Sequence, residues 1–441
     1  MTEKQITALE PLHRLAAAWS FARPTAFRFC FVYFILFALS NQIVNSIFIV
    51  PRVDVPDWAT LWPFRLGNIW IAHRVFGVKA ELVYQGSGSG DKTFDWVLVF
   101  CLLVIALVST AVWSVFDRKR TSYPVLSKWF FLFLRVALAS QMFAYGSAKA
   151  FPLQMPFPYL FRLIEPFRNF SPMGVLWTSV GASPGYEVFT GCAELAAGFL
   201  LIFPRSATLG ALLAMADMIQ VFVLNMTYDV PVKLLSFQLI VMSLVLLAPN
   251  IGQLLKFFFG SKPAALAAPE PLFHSARANR IASVVLAAIW LWMIGNNIYS
   301  DWDSWHKYGS GRTKSALYGI WNVEQLAVDG QNQPLDVNNK DEWRRVVFDF
   351  PTIAQVQLMD DEIGRFTASL DANKKTLTLT KRNDKKWQAS FSFDRAGADG
   401  LILDGLANGH KQHIELKLMD SAQFPLTSRG FHWVQEYPFN Y

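Results

Sequence analysis

Seven stretches of this chain are apolar over roughly the 20 residues that a helix needs to cross a bilayer. Nothing else in the sequence constrains the fold as strongly. The stretches are residues 27–50, 94–116, 129–148, 186–203, 206–224, 232–248 and 281–298. Hydrocarbon offers the backbone no water, so each stretch must close its own hydrogen bonds as an α-helix. The fourth and fifth are joined by Pro204-Arg205, a tight hairpin. The fourth and sixth are short and need neighbours in a bundle. Composition agrees, since 17% of the 441 residues are charged, against about 25% in a soluble domain.

Charge between the stretches sets the expected orientation. Lys4, Arg14 and Arg23 precede the first stretch, and Arg118, Lys119, Arg120 and Lys128 follow the second. Arg205 follows the fourth, and Lys256, Lys262, Arg277 and Arg280 follow the sixth. With seven alternating spans all of these fall on one side, which is expected to be cytoplasmic. The net charge of +7 is therefore topological, and nucleic acid is not an expected partner. Residues 1–24 hold no apolar leader core, so the first helix is expected to act as the insertion signal.

The expected architecture is a polytopic α-helical membrane bundle of about seven transmembrane helices with a C-terminal antiparallel β domain. Residues 1–24 form a cytoplasmic segment, and 25–260 a membrane domain with long outer loops. An Ala/Pro-rich cytoplasmic linker, 261–280, leads into a last transmembrane helix at 281–300. Residues 301–441 form an extracytoplasmic β-rich domain. Its alternating segments, such as Thr376 to Thr380 and Trp387 to Phe393, are separated by turns such as Ala407-Asn408-Gly409, a spacing that reads as a sheet, sandwich or barrel able to fold by itself. Gly319-Ile320-Trp321 resembles the Gly-x-Trp that opens a lipocalin-like barrel. Such a barrel either holds one small apolar ligand or is filled by its own side chains and binds protein.

A lone charge at the bilayer centre costs at least about 2.5–3.5 kcal/mol, so ionisable residues in the spans mark the candidate site. Arg135 lies in the third span, with Tyr145 and Lys149 near its outer end. Glu187 and Glu194 lie in the fourth, on one helix face. Asp217 sits midway along the fifth, and Tyr228, Asp229 and Lys233 border the outer start of the sixth. The expected pairing joins Arg135 to Glu194 or Asp217, with Lys149, Glu187, Asp229 and Lys233 as an outer cluster. Such a set either binds a quinone head, a lipid head or a proton, or braces the helices as buried ion pairs. Cys30, Cys101 and Cys192 each lie in an apolar run without metal or disulfide spacing. The histidines are scattered, and His410 and His413 are expected to be solvated, so no metal is expected.

Several of these residues fall in motifs that occur in a fixed order. Arg135, Tyr145-Gly-Ser-Ala-Lys149, Gly191-Cys-Ala-Glu194-Leu-Ala-Ala-Gly198 and Pro204-Arg205 together resemble the DoxX/DoxD-like membrane proteins. Gly88-Ser-Gly-Asp91, Asp117-Arg-Lys-Arg120, Ser171-Pro-Met-Gly174 and Tyr228-Asp-Val-Pro-Val-Lys233 resemble a longer bacterial branch of that family. The resemblance spans most of residues 25–260. It implies a quinone-linked or redox-associated role in the bacterial inner membrane, with a redox protein as partner. The expected function is binding of a small apolar ligand, such as a quinone, in the helical core, with the β domain binding a partner or membrane lipid. A non-enzymatic membrane scaffold or chaperone, or a small-solute transporter, are the alternatives. No catalytic residue is assigned.

Overall fold

The computed structural model describes residues 3–53, 55–260, 271–336, 338–339 and 342–440, with side chains from residue 22 onward except Lys385. The chain divides into two compact units. One comprises Met1–Phe151 with Val188–Asp303, the other Pro152–Glu187 with Ser304–Tyr441.

The first unit is helical. In chain order its elements, with those of the intervening segment, are α1 (Glu3–Ser40), α2 (Gln42–Ile47), α3 (Phe64–Arg74), α4 (Thr93–Phe116), α5 (Pro124–Ala150), α6 (Leu160–Ile164), α7 (Pro172–Gly181), α8 (Pro184–Ile202), α9 (Ala207–Thr227), α10 (Lys233–Leu247), α11 (Ile251–Phe259) and α12 (Ala276–Lys307). Seven helical stretches are long and apolar enough to cross a membrane, so the chain is a multi-pass membrane protein. The first span ends early, at Ser40, because the Asn41 side chain caps a new helix by accepting from the Ile43 amide. The sixth is longer than expected, since a 3-10 turn at Ala248–Asn250 carries α10 into α11. Helix α1 begins at Glu3, within the polar N-terminal segment. Of the expected linker, residues 261–270 lie outside the described residues, and helix resumes at Ala276.

The bundle core is aromatic and aliphatic. Phe34, Phe130, Phe143, Leu134, Leu138 and Leu201 are all fully buried. Helices α5 and α8 meet through glycine. A Cβ on Gly191 would stand 2.7 Å from the Ala150 nitrogen, and one on Gly146 would stand 2.9 Å from the Leu195 nitrogen. With Gly198 against Phe143, these contacts step along the two helices in opposite directions. Small residues let backbones approach this closely where lipid gives no hydrophobic drive to associate.

The second unit is a closed antiparallel barrel. Its strands are β1 (Gly319–Val328), β2 (Gln331–Gln333), β3 (Trp343–Phe350), β4 (Ile353–Leu358), β5 (Ile363–Asp371), β6 (Thr376–Lys381), β7 (Asp384–Ala396), β8 (Gly400–Ala407) and β9 (His410–Leu418). Eight of them pair in sequence order, and β9 returns to β1 with Trp321 opposite Leu418. β2 is an extra hairpin strand on the far end of β1. Alternation places Leu377 and Leu379, then Leu401 and Leu403, inside. The interior is filled by the protein's own side chains, led by Trp321, Phe348 and Phe391.

The Gly-x-Trp segment closes one end. Trp321 Nε1–H donates to the Leu317 carbonyl at 2.9 Å. The Arg395 guanidinium lies 5.4 Å from the Trp321 ring centre and donates to the Ala316 carbonyl. Residues 152–187, nearly all in an outer loop by sequence, pack on the barrel. The Leu160 amide donates to Asp349, whose other oxygen pairs with Arg312. Gln357 donates to the Ile164 carbonyl, and Arg168 pairs with Asp361 at 3.2 Å.

Candidate functional site

The ionisable residues of the spans divide differently from the sequence expectation. Glu194 Oε1 pairs with Lys149 Nζ, and both side chains are under a tenth exposed. Arg135 does not take part. It lies fourteen residues before Lys149 on α5, about 21 Å along the axis. In the antiparallel register set by the glycines, the position opposite Arg135 falls past Ile202, where α8 ends. Arg135 Nε is buried with no hydrogen-bond partner among the described residues. The expected pair of Arg135 with Glu194 or Asp217 is thus replaced by Lys149 with Glu194, because close helix contact sets the depth of each residue.

Around the pair lies a polar network. Gln42 Nε2–H donates to the Tyr145 hydroxyl at 2.8 Å and to Gln141 Oε1 at 3.0 Å. The Ser147 hydroxyl donates to Asp301 of α12. Asp217, midway along α9, lies within electrostatic reach of both Glu194 and Lys149. Glu194 Oε2 and Asp217 Oδ2 are both buried without a hydrogen-bond partner among the described residues.

The expected outer cluster separates into three places. Lys149 belongs to the pair just described. Glu187 is in the other unit, fully buried, and accepts the Met155 amide at 2.8 Å. Lys233 pairs with Asp229 at 3.0 Å and with Asp91 at 3.7 Å. Asp91 also accepts the amides of Lys233 and Leu234 at 2.8 and 2.9 Å, so it caps α10 as anions do at a helix N-terminus. Tyr228 is half-buried at the C-terminal end of α9.

Beside Lys233 a cavity of about 560 Å³ opens between α1, α4, α9 and α10. Phe29, Phe34, Trp96, Phe222 and Phe237 form much of its wall. Its polar groups are few. Lys233 stands at one end, and Gln238 bonds the Tyr33 hydroxyl within it. Of the candidate site residues named from the sequence, Lys233 lines this cavity, and so does Cys30. Most of the lining is apolar, and no residue type marks a groove before helices are packed.

Sequence reasoning also missed Arg28, which is 3% exposed in α1. It donates to the Tyr123 hydroxyl, Ser114 Oγ and the Asp117 carbonyl at 2.8–2.9 Å. One arginine at the edge of an apolar run was the available signal. On the barrel, His413 Nδ1 lies 2.6 Å from Asp404 and His410 Nδ1 2.9 Å from Asp329. The Asp404 carboxylate holds the His413 imidazole above its ordinary pKa.

No family model matches the chain, and no solved structure matches it. A Bacillus subtilis (strain 168) protein described as "Uncharacterized protein YwoB" is 37% identical over 122 residues, which cover 71% of that protein and 26% of this chain. The chain therefore belongs, through that segment, to the family of YwoB.

Proposed function

We propose that the membrane bundle binds an amphipathic ligand of the quinone class, and that the protein serves a quinone-linked redox step together with a redox partner. The observation that carries this reading is the cavity between α1, α4, α9 and α10. A volume of about 560 Å³ is within the usual range for small-molecule sites. Its aromatic wall suits a flat ring and an isoprenoid tail, and the Lys233 end supplies a cation for a polar head. The DoxX-like motifs favour a quinone over a plain acyl chain. The barrel interior is filled, so its outer face is the part offered to a partner or to lipid. That same filling favours, as a second reading, a scaffold role for the barrel.

The experiment is a quantitative extraction of ligand from protein purified in mild detergent. Val99→Trp and Val241→Trp each push an indole into the cavity. Each indole takes up space that the ligand would occupy, so bound quinone should fall by roughly tenfold, about 1.4 kcal/mol, with folded yield unchanged. Equal quinone content in both variants and the parent would sink the proposal.

The reading includes an orientation in the bacterial inner membrane, with the N-terminus cytoplasmic and the barrel outside. Its support is the basic bias of alternate loops. A C-terminal reporter active only outside the cytoplasm should be active, and one active only inside should be silent. The reverse pattern refutes this topology.

A further inference from the structure

We propose that Glu194 and Asp217 form a proton-binding site inside the membrane bundle, with Lys149 as its fixed counter-charge. The site is separate from the groove and does not depend on what the groove holds.

The argument begins with a count of charge. Lys149 Nζ already pairs with Glu194 Oε1. The second oxygen of Glu194, a side chain only 4% exposed, is buried and receives no hydrogen bond among the described residues. Asp217 is half-buried, and its buried Oδ2 likewise receives no hydrogen bond among the described residues. Asp217 is near the middle of a 21-residue span, where an unpaired charge is costly. Two carboxylates therefore share one ammonium.

Among the described residues, the neighbouring elements do not supply the missing positive charge. On α5, Arg135 is about 21 Å from Lys149 along the axis. Tyr145, near enough to feel the charge of Glu194, is neutral and accepts from Gln42. On α12, Asp301 adds another acid and takes the Ser147 hydroxyl. On α10, Lys233 is the first residue and is engaged by Asp91 and Asp229. Helix α2 presents Gln42, which is uncharged.

A proton is the cation that fits. A protonated carboxyl becomes a donor, so one proton removes the excess negative charge and can satisfy a buried acceptor together. A metal ion fits poorly, because Lys149 Nζ already holds the cation position on Glu194. Among the described residues no three His, Cys, Asp or Glu side chains converge as a metal would require. The Gly146–Gly191 contact brings the α5 and α8 backbones together beside the pair, which leaves no room for water on that side.

The test is infrared difference spectroscopy of the full-length protein in lipid nanodiscs as pH is stepped. The parent protein should show a protonated-carboxyl C=O band that disappears as pH rises. Carbon-13 aspartate or glutamate should shift that band, a reading that needs no substitution. Asp217→Asn leaves the neutral Lys149–Glu194 pair in place and should abolish the band while elution and yield stay as in the parent. Absence of a titrating band overturns the proposal, as does a band that neither label shifts or that survives Asp217→Asn. Loss of the band on adding sodium at constant pH also overturns it, in favour of a metal-cation site.

Discussion

Lys149→Met will destabilise the membrane bundle by about 3–5 kcal/mol at neutral pH. The substitution keeps the apolar stem and removes the cation paired with Glu194 among the described residues. The buried Glu194 carboxylate and the half-buried Asp217 carboxylate are then left within reach of each other's charge without that cation. The loss should appear as a smaller monodisperse peak in detergent and a lower unfolding temperature. It should shrink as pH falls, because a protonated Glu194 needs no counter-ion. Lys149→Met combined with Glu194→Leu removes both charges and should recover most of the loss, since apolar replacement of a whole buried pair is often neutral. Glu194→Gln should cost less than Lys149→Met, because Asp217 remains within reach of the ammonium. An unchanged Lys149→Met protein would show that the pair contributes nothing to folding.

Trp321→Ala will cost the barrel about 3–5 kcal/mol. The indole is fully buried where β1 meets both β3 and β9, opposite Val346 on one side and Leu418 on the other. Its removal empties the end of the barrel and leaves the Leu317 carbonyl and the face of Arg395 without the ring. Hydrogen exchange in the full-length protein should accelerate most in β1 and β9, the strands whose pairing closes the cylinder. Trp321→Phe retains a ring but loses the Nε1–H bond, and should lose about 1–3 kcal/mol for the unsatisfied carbonyl. Exchange rates in β1 and β9 equal to those of the parent would contradict this account.

The two expectations differ in how much of each was legible beforehand. Trp321 could be picked out because its signal is local: a Gly-x-Trp segment at the head of alternating strands. The sheet, sandwich or lipocalin-like barrel offered by the sequence is a barrel, but the register that closes it was not legible, because closure pairs β1 with β9 across about ninety residues and no local pattern encodes that pairing. The partner of Lys149 was misjudged for a related reason. Depth along each helix was estimated from the ends of the apolar runs, but the Gly146–Gly191 contact determines how α5 and α8 slide past each other. That contact depends on which faces meet, and face choice is a property of the packed bundle.

What the sequence by itself determined is the part that each segment decides alone. Hydrophobic length specifies seven spans, because a helix in lipid satisfies its backbone without help. Alternation with turns specifies a β-rich C-terminal domain, placed by sequence at 301–441. Only the tertiary structure decided which charges pair, that residues 152–187 join the barrel by bonds such as Leu160 to Asp349, and that an apolar groove forms beside Lys233. Those outcomes depend on side chains distant in sequence arriving at one place. The free energy that selects them, close packing and the pairing of buried charge, exists only once the chain is folded.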